Sequence, residues 1–248
     1  MLSSIGSELA LAACMFVGAA LYTSVGHAGA SAYIAMMALF GVASTSMRPT
    51  ALVLNVIVAT FTSWRFIRAG QFRWRTLWLY LIGAMPLALL GGSIKLPGEF
   101  YRPLVGVVLL LGAVRLLWPT PIRSAVRWSD PPVPVAILCG AGIGLLSGLT
   151  GTGGGIFLSP LLMFAGWSDV KAASGVAAAF ILVISAFGLL GNVASVGALP
   201  SDLPLYIAAV MLGAVVGTTL GIRLPTNVIL KALGFVLVVA GCKLIGVY

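Results

Sequence analysis

Residues 148–162 read Gly-Leu-Thr-Gly-Thr-Gly-Gly-Gly-Ile-Phe-Leu-Ser-Pro-Leu-Leu, and they lie inside a run, 131–168, that contains no charged side chain. A related stretch, Ser-Val-Gly-His-Ala-Gly-Ala-Ser at 24–31, interrupts a second uncharged run at 9–47. As one straight helix, 9–47 would extend about 58 Å, nearly twice the thickness of the hydrocarbon layer of a membrane. Both runs are therefore predicted to break at their glycines.

The composition indicates which solvent surrounds the chain. Of its 248 residues, 60% are hydrophobic and 8% are charged, whereas soluble domains carry about 25% charged residues. Such a chain has too little polar surface for water, so we predict an all-α polytopic membrane protein whose surroundings are the lipid bilayer. The net charge of +9 comes mainly from cations in short gaps between apolar runs. That placement favours a role in membrane orientation, and no nucleic-acid partner is expected.

Each half of the chain should begin with a pair of helices around its break. In the first half we predict helix a at 9–22 and helix b at 31–42, each about 20 Å long and too short to cross the bilayer alone. Three further helices, c, d and e, are predicted at 49–66, 76–94 and 101–118, with Pro49 as the first residue of helix c.

The second half repeats the first. At a spacing of 125 residues the matching pairs are Cys14 and Cys139, Gly26 and Gly151, Gly29 and Gly154, Gly41 and Gly166, and Gly92 and Gly217. At a spacing of 128 they are Gly106 and Gly234, Leu109 and Leu237, and Arg115 and Lys243. The constant order predicts a duplication. We expect a first repeat at 1–118, a cytoplasmic linker at 119–132 and a second repeat at 133–248, together forming one integral membrane domain.

The distribution of positive charge predicts that the two repeats are inverted. The loop between helices c and d carries Arg65, Arg68, Arg73 and Arg75, whereas the matching loop at 192–203 carries no Lys or Arg. Because basic loops face the cytoplasm, the two loops belong on opposite sides of the membrane. Each half would then contain a re-entrant or broken helical hairpin plus about three transmembrane helices, as in many secondary transporters.

The two breaks are predicted to form an anion site. Each precedes an apolar helix whose N-terminal N–H groups and dipole favour a negative charge, and glycine lets a ligand approach the backbone. The alternative is that the glycines only permit tight turns and close helix packing. The candidate binding residues are Gly26, His27, Ala28, Gly29, Asn55, Gly151, Thr152, Gly153, Gly154 and Gly155.

Several side chains near the breaks have two interpretations. His27, the single histidine of the chain, either holds an anion or a coupling proton, or is a neutral residue bonded to backbone. Thr152 occupies the matching position, where its hydroxyl could do the same work. Arg48 and Lys171 either attract anions in opposite vestibules or anchor their helices at the interface. Asn55 either contacts the ligand or joins helices.

The carboxylates argue against a cation substrate. All five lie at predicted helix ends or in loops, whereas cation pumps and many proton-coupled carriers place carboxylates inside the membrane. The five are Glu8, Glu99, Asp130, Asp169 and Asp202. No metal-ligand cluster or catalytic set of side chains is evident, so we expect neither enzyme activity nor a cofactor nor a metal.

The pattern resembles the sulfite exporter TauE/SafE family of membrane permeases. The similarity rests on the two breaks and on three stretches: Gly-Gly-Gly-Ile-Phe-Leu-Ser-Pro-Leu-Leu at 153–162, Arg-Pro-Thr-Ala-Leu-Val-Leu-Asn at 48–55, and Trp-Arg-Phe-Ile-Arg-Ala-Gly at 64–70. The resemblance implies transport of sulfur-containing or organic anions across the bacterial inner membrane. This chain departs from the family at Ala28 and Ala30, where glycine is common. It also has Val176-Ala177 and Ile184-Ser185 in place of Thr-Ser and Asn-Ser, which implies lost polar contacts or a different substrate.

The leading hypothesis is therefore a multi-pass secondary permease of the inner membrane. It would move a small anion such as sulfite or a sulfonate by alternating access. The alternatives are an anion channel and a non-catalytic membrane subunit of a complex. The sequence leaves open a coupling proton and association into a homo-oligomer.

Overall fold

The computed structural model describes residues 2–117, 130–193, 199–220 and 226–246, and this part of the chain is helical without strands. The helices are α1 (Leu2–Thr23), α2 (Ala30–Leu39), α3 (Ser44–Arg68), α4 (Trp74–Ser93), α5 (Gly98–Leu117), α6 (Val133–Thr150), α7 (Gly155–Phe164), α8 (Val170–Gly191), α9 (Leu203–Leu220) and α10 (Thr226–Leu244). The predicted all-α class is confirmed, and helices c, d and e correspond to α3, α4 and α5.

Several of these helices can cross a bilayer. Five described segments have the necessary length and apolar character, namely Gly6–Thr23, Ser44–Arg68, Trp74–Ser93, Val133–Thr150 and Lys171–Gly191. Their surfaces carry exposed Leu, Ile, Val and Trp side chains, which suits contact with lipid tails rather than water. This is the architecture of a polytopic membrane protein.

Two predicted helix boundaries are wrong. α1 begins at residue 2 rather than 9, because the helix continues through the polar segment ahead of the apolar run. It therefore has spanning length, contrary to the prediction that helix a is too short. The short helix b is confirmed, since α2 has 10 residues. α3 also starts early, so Pro49 lies inside the helix and not at its first position.

α1 and α2 form a hairpin whose turn is the first break. A Cβ added to Gly18 of α1 would lie 3.2 Å from Ala32 Cβ and 2.9 Å from Met36 Cε, so α2 folds back along α1. Ala30, the first residue of α2, hydrogen bonds to Asn55 near the middle of α3. The turn thus lies level with the middle of α3, a helix long and apolar enough to cross a bilayer.

The two halves interlock through parallel helices with glycine at their contacts. The contacting pairs are Tyr80–Gly140, Ala84–Gly144 and Ala88–Gly148 between α4 and α6, and Phe16–Gly213 and Ala20–Gly217 between α1 and α9. At each of these glycines a Cβ would overlap a carbonyl oxygen of the neighbouring helix. Glycine therefore allows the backbones to approach closely, as is common between membrane helices. Each pair joins the first helix of one half to the fourth helix of the other.

Equivalent helices of the two halves meet in antiparallel pairs. Between α3 and α8 the contacts are Phe66 with Gly175, Asn55 with Ser185, and Leu52 with Gly188. Between α5 and α10 they are Gly106 with Ile245, and Gly112 with Leu237. Opposite chain directions in equivalent helices are what inverted repeats require.

The cation-rich connection between α3 and α4 lies on the surface. The Arg68 guanidinium stands 4.4 Å from the centre of the Trp64 ring. Arg75 Nε lies 3.3 Å from Asp130 Oδ2, with 82% of the arginine side chain exposed. Residues 119–129 of the predicted linker lie outside the described residues. The division at 119–132 and its cytoplasmic position therefore stay predictions.

Candidate functional site

Both breaks owe their shape to left-handed glycines. In the first break Gly26 has φ 81° and Gly29 has φ 105°, and in the second Gly151 has φ 83° and Gly154 has φ 70°. Among the described residues only glycines have positive φ, because a Cβ disfavours this conformation. The left-handed glycines pair at the predicted spacing of 125 residues.

Asn55 of α3 joins the two breaks. Its Oδ1 accepts a hydrogen bond from the Ala30 N–H at 3.1 Å, which caps the N-terminus of α2. Its Nδ2 donates to Ser185 Oγ of α8 at 3.1 Å. A Cβ at Gly153 would overlap the same Nδ2, so Asn55 also lies directly against the second break. The helix-joining interpretation of Asn55 is therefore the one that its geometry supports.

His27 reaches from the first break to the helix that follows the second. Its Nε2 lies 3.0 Å from the carbonyl oxygen of Gly155 and 3.2 Å from Ser159 Oγ, both in α7. The Tyr22 ring stands edge-on to the imidazole at a centroid distance of 6.2 Å. The histidine thus links the two halves directly.

Thr152 does not repeat the contacts of its counterpart His27. Its Oγ1 lies 2.9 Å from Thr150 Oγ1, and its N–H donates to the same hydroxyl at 3.4 Å. These bonds stay inside the second break. The expectation that the Thr152 hydroxyl does the same work as His27 is wrong, because the shorter side chain bonds to its own turn.

Four backbone donors just ahead of α2 and α7 have no acceptor. Within the described part of the chain, the N–H groups of Ala28, Gly29, Gly153 and Gly154 donate to nothing, although all four residues are buried. They form two pairs at the spacing of 125 residues, 28 with 153 and 29 with 154. Buried backbone N–H groups are almost always paired with protein, water or ligand. These four N–H groups are therefore available to a hydrogen-bond acceptor.

Three other predicted donors are already used. The Gly26 N–H donates to Thr23 O, the Gly151 N–H to Ser147 O and the Gly155 N–H to Gly153 O. Gly26 and Gly151 shape the turns instead, each as the first left-handed residue of its break. Gly155 supplies the carbonyl that faces His27.

Comparison with known proteins shows the family of the chain. A family model described as "Sulfite exporter TauE/SafE" matches residues 10–244. The chain belongs to the sulfite exporter TauE/SafE family. A relative from Sinorhizobium fredii (strain NBRC 101917 / NGR234), "Probable membrane transporter protein y4hK", is 38% identical over 246 residues, which cover 96% of this chain and 98% of the relative. No solved structure matches the chain.

The family resemblance inferred from the breaks is thus confirmed. This TauE/SafE protein is a multi-pass membrane transporter. Ser185 lies in the Ile184-Ser185 pair that the resemblance matches to the family's Asn-Ser, and its hydroxyl accepts the Asn55 amide. α8 of this TauE/SafE protein therefore does make a polar contact at this position.

The two candidate vestibule cations occupy different surroundings. Arg48 is buried, and its guanidinium donates to Ile94 O at 2.9 Å, to Gly91 O at 2.8 Å and to Gly92 O. It therefore caps the C-terminus of α4, where carbonyls lack helical partners and the dipole favours a cation. Lys171 is exposed in the first turn of α8. The buried position of Arg48 does not fit a vestibule, because its charge is directed at the end of a neighbouring helix.

Some contributors to this TauE/SafE site were not predicted. Ser159 and Ser185 bond to His27 and Asn55, and the Tyr33 hydroxyl donates to Ala28 O at 2.5 Å. Tyr101 likewise donates to Thr150 O at 3.0 Å, holding the second break. Only Ser159 had a local signal, since it follows Gly155 by four residues and thus shares its helix face.

Proposed function

We propose that this TauE/SafE protein is a secondary permease for a small sulfur-containing or organic anion, such as sulfite or a sulfonate, in the bacterial inner membrane. The observation that carries the proposal is the set of four buried N–H groups without acceptors, at Ala28, Gly29, Gly153 and Gly154. Oxyanions are strong acceptors, and two helix N-termini, of α2 and α7, follow these groups directly. Backbone donors at helix N-termini favour such ligands.

The energetics suit a carrier. An anion that leaves water loses its hydration, and no described carboxylate repels it near the breaks. Each charge-assisted hydrogen bond contributes roughly 1.5–3 kcal/mol, and each helix terminus adds up to about 2 kcal/mol when partly buried. Four donors and two termini offset much of the desolvation cost. Affinity stays modest, so the ligand can also leave.

Alternating access is supported by the pairing of the helices. Antiparallel contact between α3 and α8, and between α5 and α10, suits two inverted repeats that enclose one site. The last turn of α3, its connection to α4 and the start of α4 carry the four arginines, and they would face the cytoplasm together with the 119–132 linker. Both chain termini would then lie outside.

The experiment is a counterflow measurement with the purified protein in liposomes. Vesicles are loaded with unlabelled sulfite, thiosulfate, sulfoacetate or sulfate, and entry of the matching labelled anion is followed. A carrier gives transient accumulation and a rate that saturates with anion concentration. Linear flux without counterflow would indicate a channel. Absence of flux for every anion would contradict the proposal and favour a subunit of a larger complex.

A further inference from the structure

We propose that His27 binds the proton that is coupled to anion movement, so that the protein is a proton–anion cotransporter. The inference rests on the proposed function and adds the coupling ion to it. It is carried by the position of the imidazole: His27 precedes the unpaired donors of Ala28 and Gly29 in sequence, and its Nε2 contacts Gly155, which follows Gly153 and Gly154. The imidazole thus lies next to both pairs of donors along the backbone.

The hydrogen bonds fix where the exchangeable proton sits. A carbonyl oxygen only accepts hydrogen bonds, so the 3.0 Å contact with Gly155 O requires a proton on His27 Nε2. The second proton therefore arrives at Nδ1, and its arrival makes the ring an imidazolium. The positive charge then lies beside the anion donors, and anion affinity rises. Loss of that proton removes the charge and favours release of the anion.

The described side chains that face His27 from the neighbouring helices bring no second charge close to the imidazole. From α1 the Tyr22 ring faces the imidazole, and from α2 the nearest titratable group is Tyr33, which bonds to Ala28 O. α7 has no titratable side chain at all. The single charged residue of α8, Lys171, is exposed in its first turn, and Arg48 of α3 is committed to α4. In this set histidine is the residue type that changes charge most readily by binding a proton.

Thermodynamic linkage between proton binding and anion binding makes their coupling reciprocal. If a bound proton strengthens anion binding by a given factor, a bound anion strengthens proton binding by the same factor. The same imidazole connects the first half of the chain to α7 in the second half. The proton-binding group therefore lies at the contact between the halves that alternating access has to rearrange.

The first test measures proton binding without relying on transport. Because His27 is the only histidine, protein labelled with ¹⁵N-histidine gives a single imidazole signal by NMR. We expect that signal to titrate, with a midpoint that moves to higher pH when sulfoacetate is added. A ring that stays neutral at every pH at which the protein remains folded, or a midpoint that sulfoacetate leaves in place, overturns the proposal.

The second test measures coupling in liposomes. Sulfoacetate is the probe because its acid groups stay ionised between about pH 6 and 8, so the gradient acts on the protein alone. The wild type should accumulate sulfoacetate several-fold more when the outside is acidic. His27→Gln should lose the response to the gradient, and Gly142→Ala, which places a methyl group in open space, should retain it. Equal gradient-driven accumulation by His27→Gln sinks the coupling role and leaves the permease intact. Absence of counterflow in the wild type contradicts the permease itself, while the NMR titration still decides whether His27 binds a proton.

Discussion

The side-chain amide of Asn55 donates to the hydroxyl of Ser185 at 3.1 Å, although 130 residues separate them. The bond joins equivalent helices of the two halves, α3 and α8, at the level of both breaks. The other end of the same amide caps α2. One small polar side chain thus sets the position of the first break relative to the second half.

The Asn55 bridge predicts a graded effect of mutation. Asn55→Leu removes both bonds and leaves the buried Ala30 N–H unpaired, which should lower stability by about 1–3 kcal/mol and reduce counterflow at least tenfold. Ser185→Ala removes only the cross-half bond and should cost less on both measures. Melting of the purified variants and counterflow provide the readouts. If Ser185→Ala is as damaging as Asn55→Leu, the cap on α2 is not the important contact.

The backbone conformation and the close surroundings of Gly154, one of the four unpaired donors, predict that this position tolerates no side chain. Gly154 has φ 70° and Gly166 has φ 71°, so alanine strains both equally, by about 1–2 kcal/mol. A Cβ at Gly154 would also lie 2.7 Å from Ile143 Cγ2, whereas one at Gly166 meets nothing within 4 Å. Gly154→Ala should therefore abolish transport while the protein reaches the membrane, and Gly166→Ala should only lower its melting temperature. Equal transport in the two variants would reduce Gly154 to a packing residue.

The predicted inversion can be read from cysteine accessibility. In a variant with Cys14, Cys139 and Cys242 replaced, single cysteines are introduced at Ala69 and Ser201, which are both exposed. They follow α3 and precede α9, in matching connections of the two halves. A membrane-impermeant thiol reagent should label Ser201→Cys in intact cells and spare Ala69→Cys. Labelling of both from the same side contradicts inverted repeats.

Removing the charge of Arg48 should lower stability much more than removing the charge of Lys171. Arg48→Met frees the carbonyls of Gly91, Gly92 and Ile94, and the loss should be about 1.5–3 kcal/mol of stability. Arg48→Lys should rescue it only in part, because one ammonium lacks the planar fork of donors. Lys171→Met should change stability by less than about 0.5 kcal/mol. A salt-sensitive fall in uptake rate for Lys171→Met would instead assign it the vestibule role.

The sequence predicted the features that depend on residues close together along the chain. Hydropathy indicated the solvent and the helices, since a long apolar run has few stable alternatives in lipid. The glycines marked both breaks, and their left-handed φ values follow from local sterics. The start of α1 was missed, because hydropathy does not register a helix that continues into a polar segment.

The sequence by itself determined that this is a polytopic helical membrane protein of the TauE/SafE family, and it predicts the duplication of its two halves. Only the tertiary structure decided which polar groups meet: His27 with Gly155, Asn55 with Ser185, and Arg48 with the end of α4. It also decided that the donors at Ala28, Gly29, Gly153 and Gly154 stay unpaired. The physical reason is that a glycine's backbone conformation is a local property. The partner of a buried hydrogen-bonding group depends instead on how helices from opposite halves are aligned.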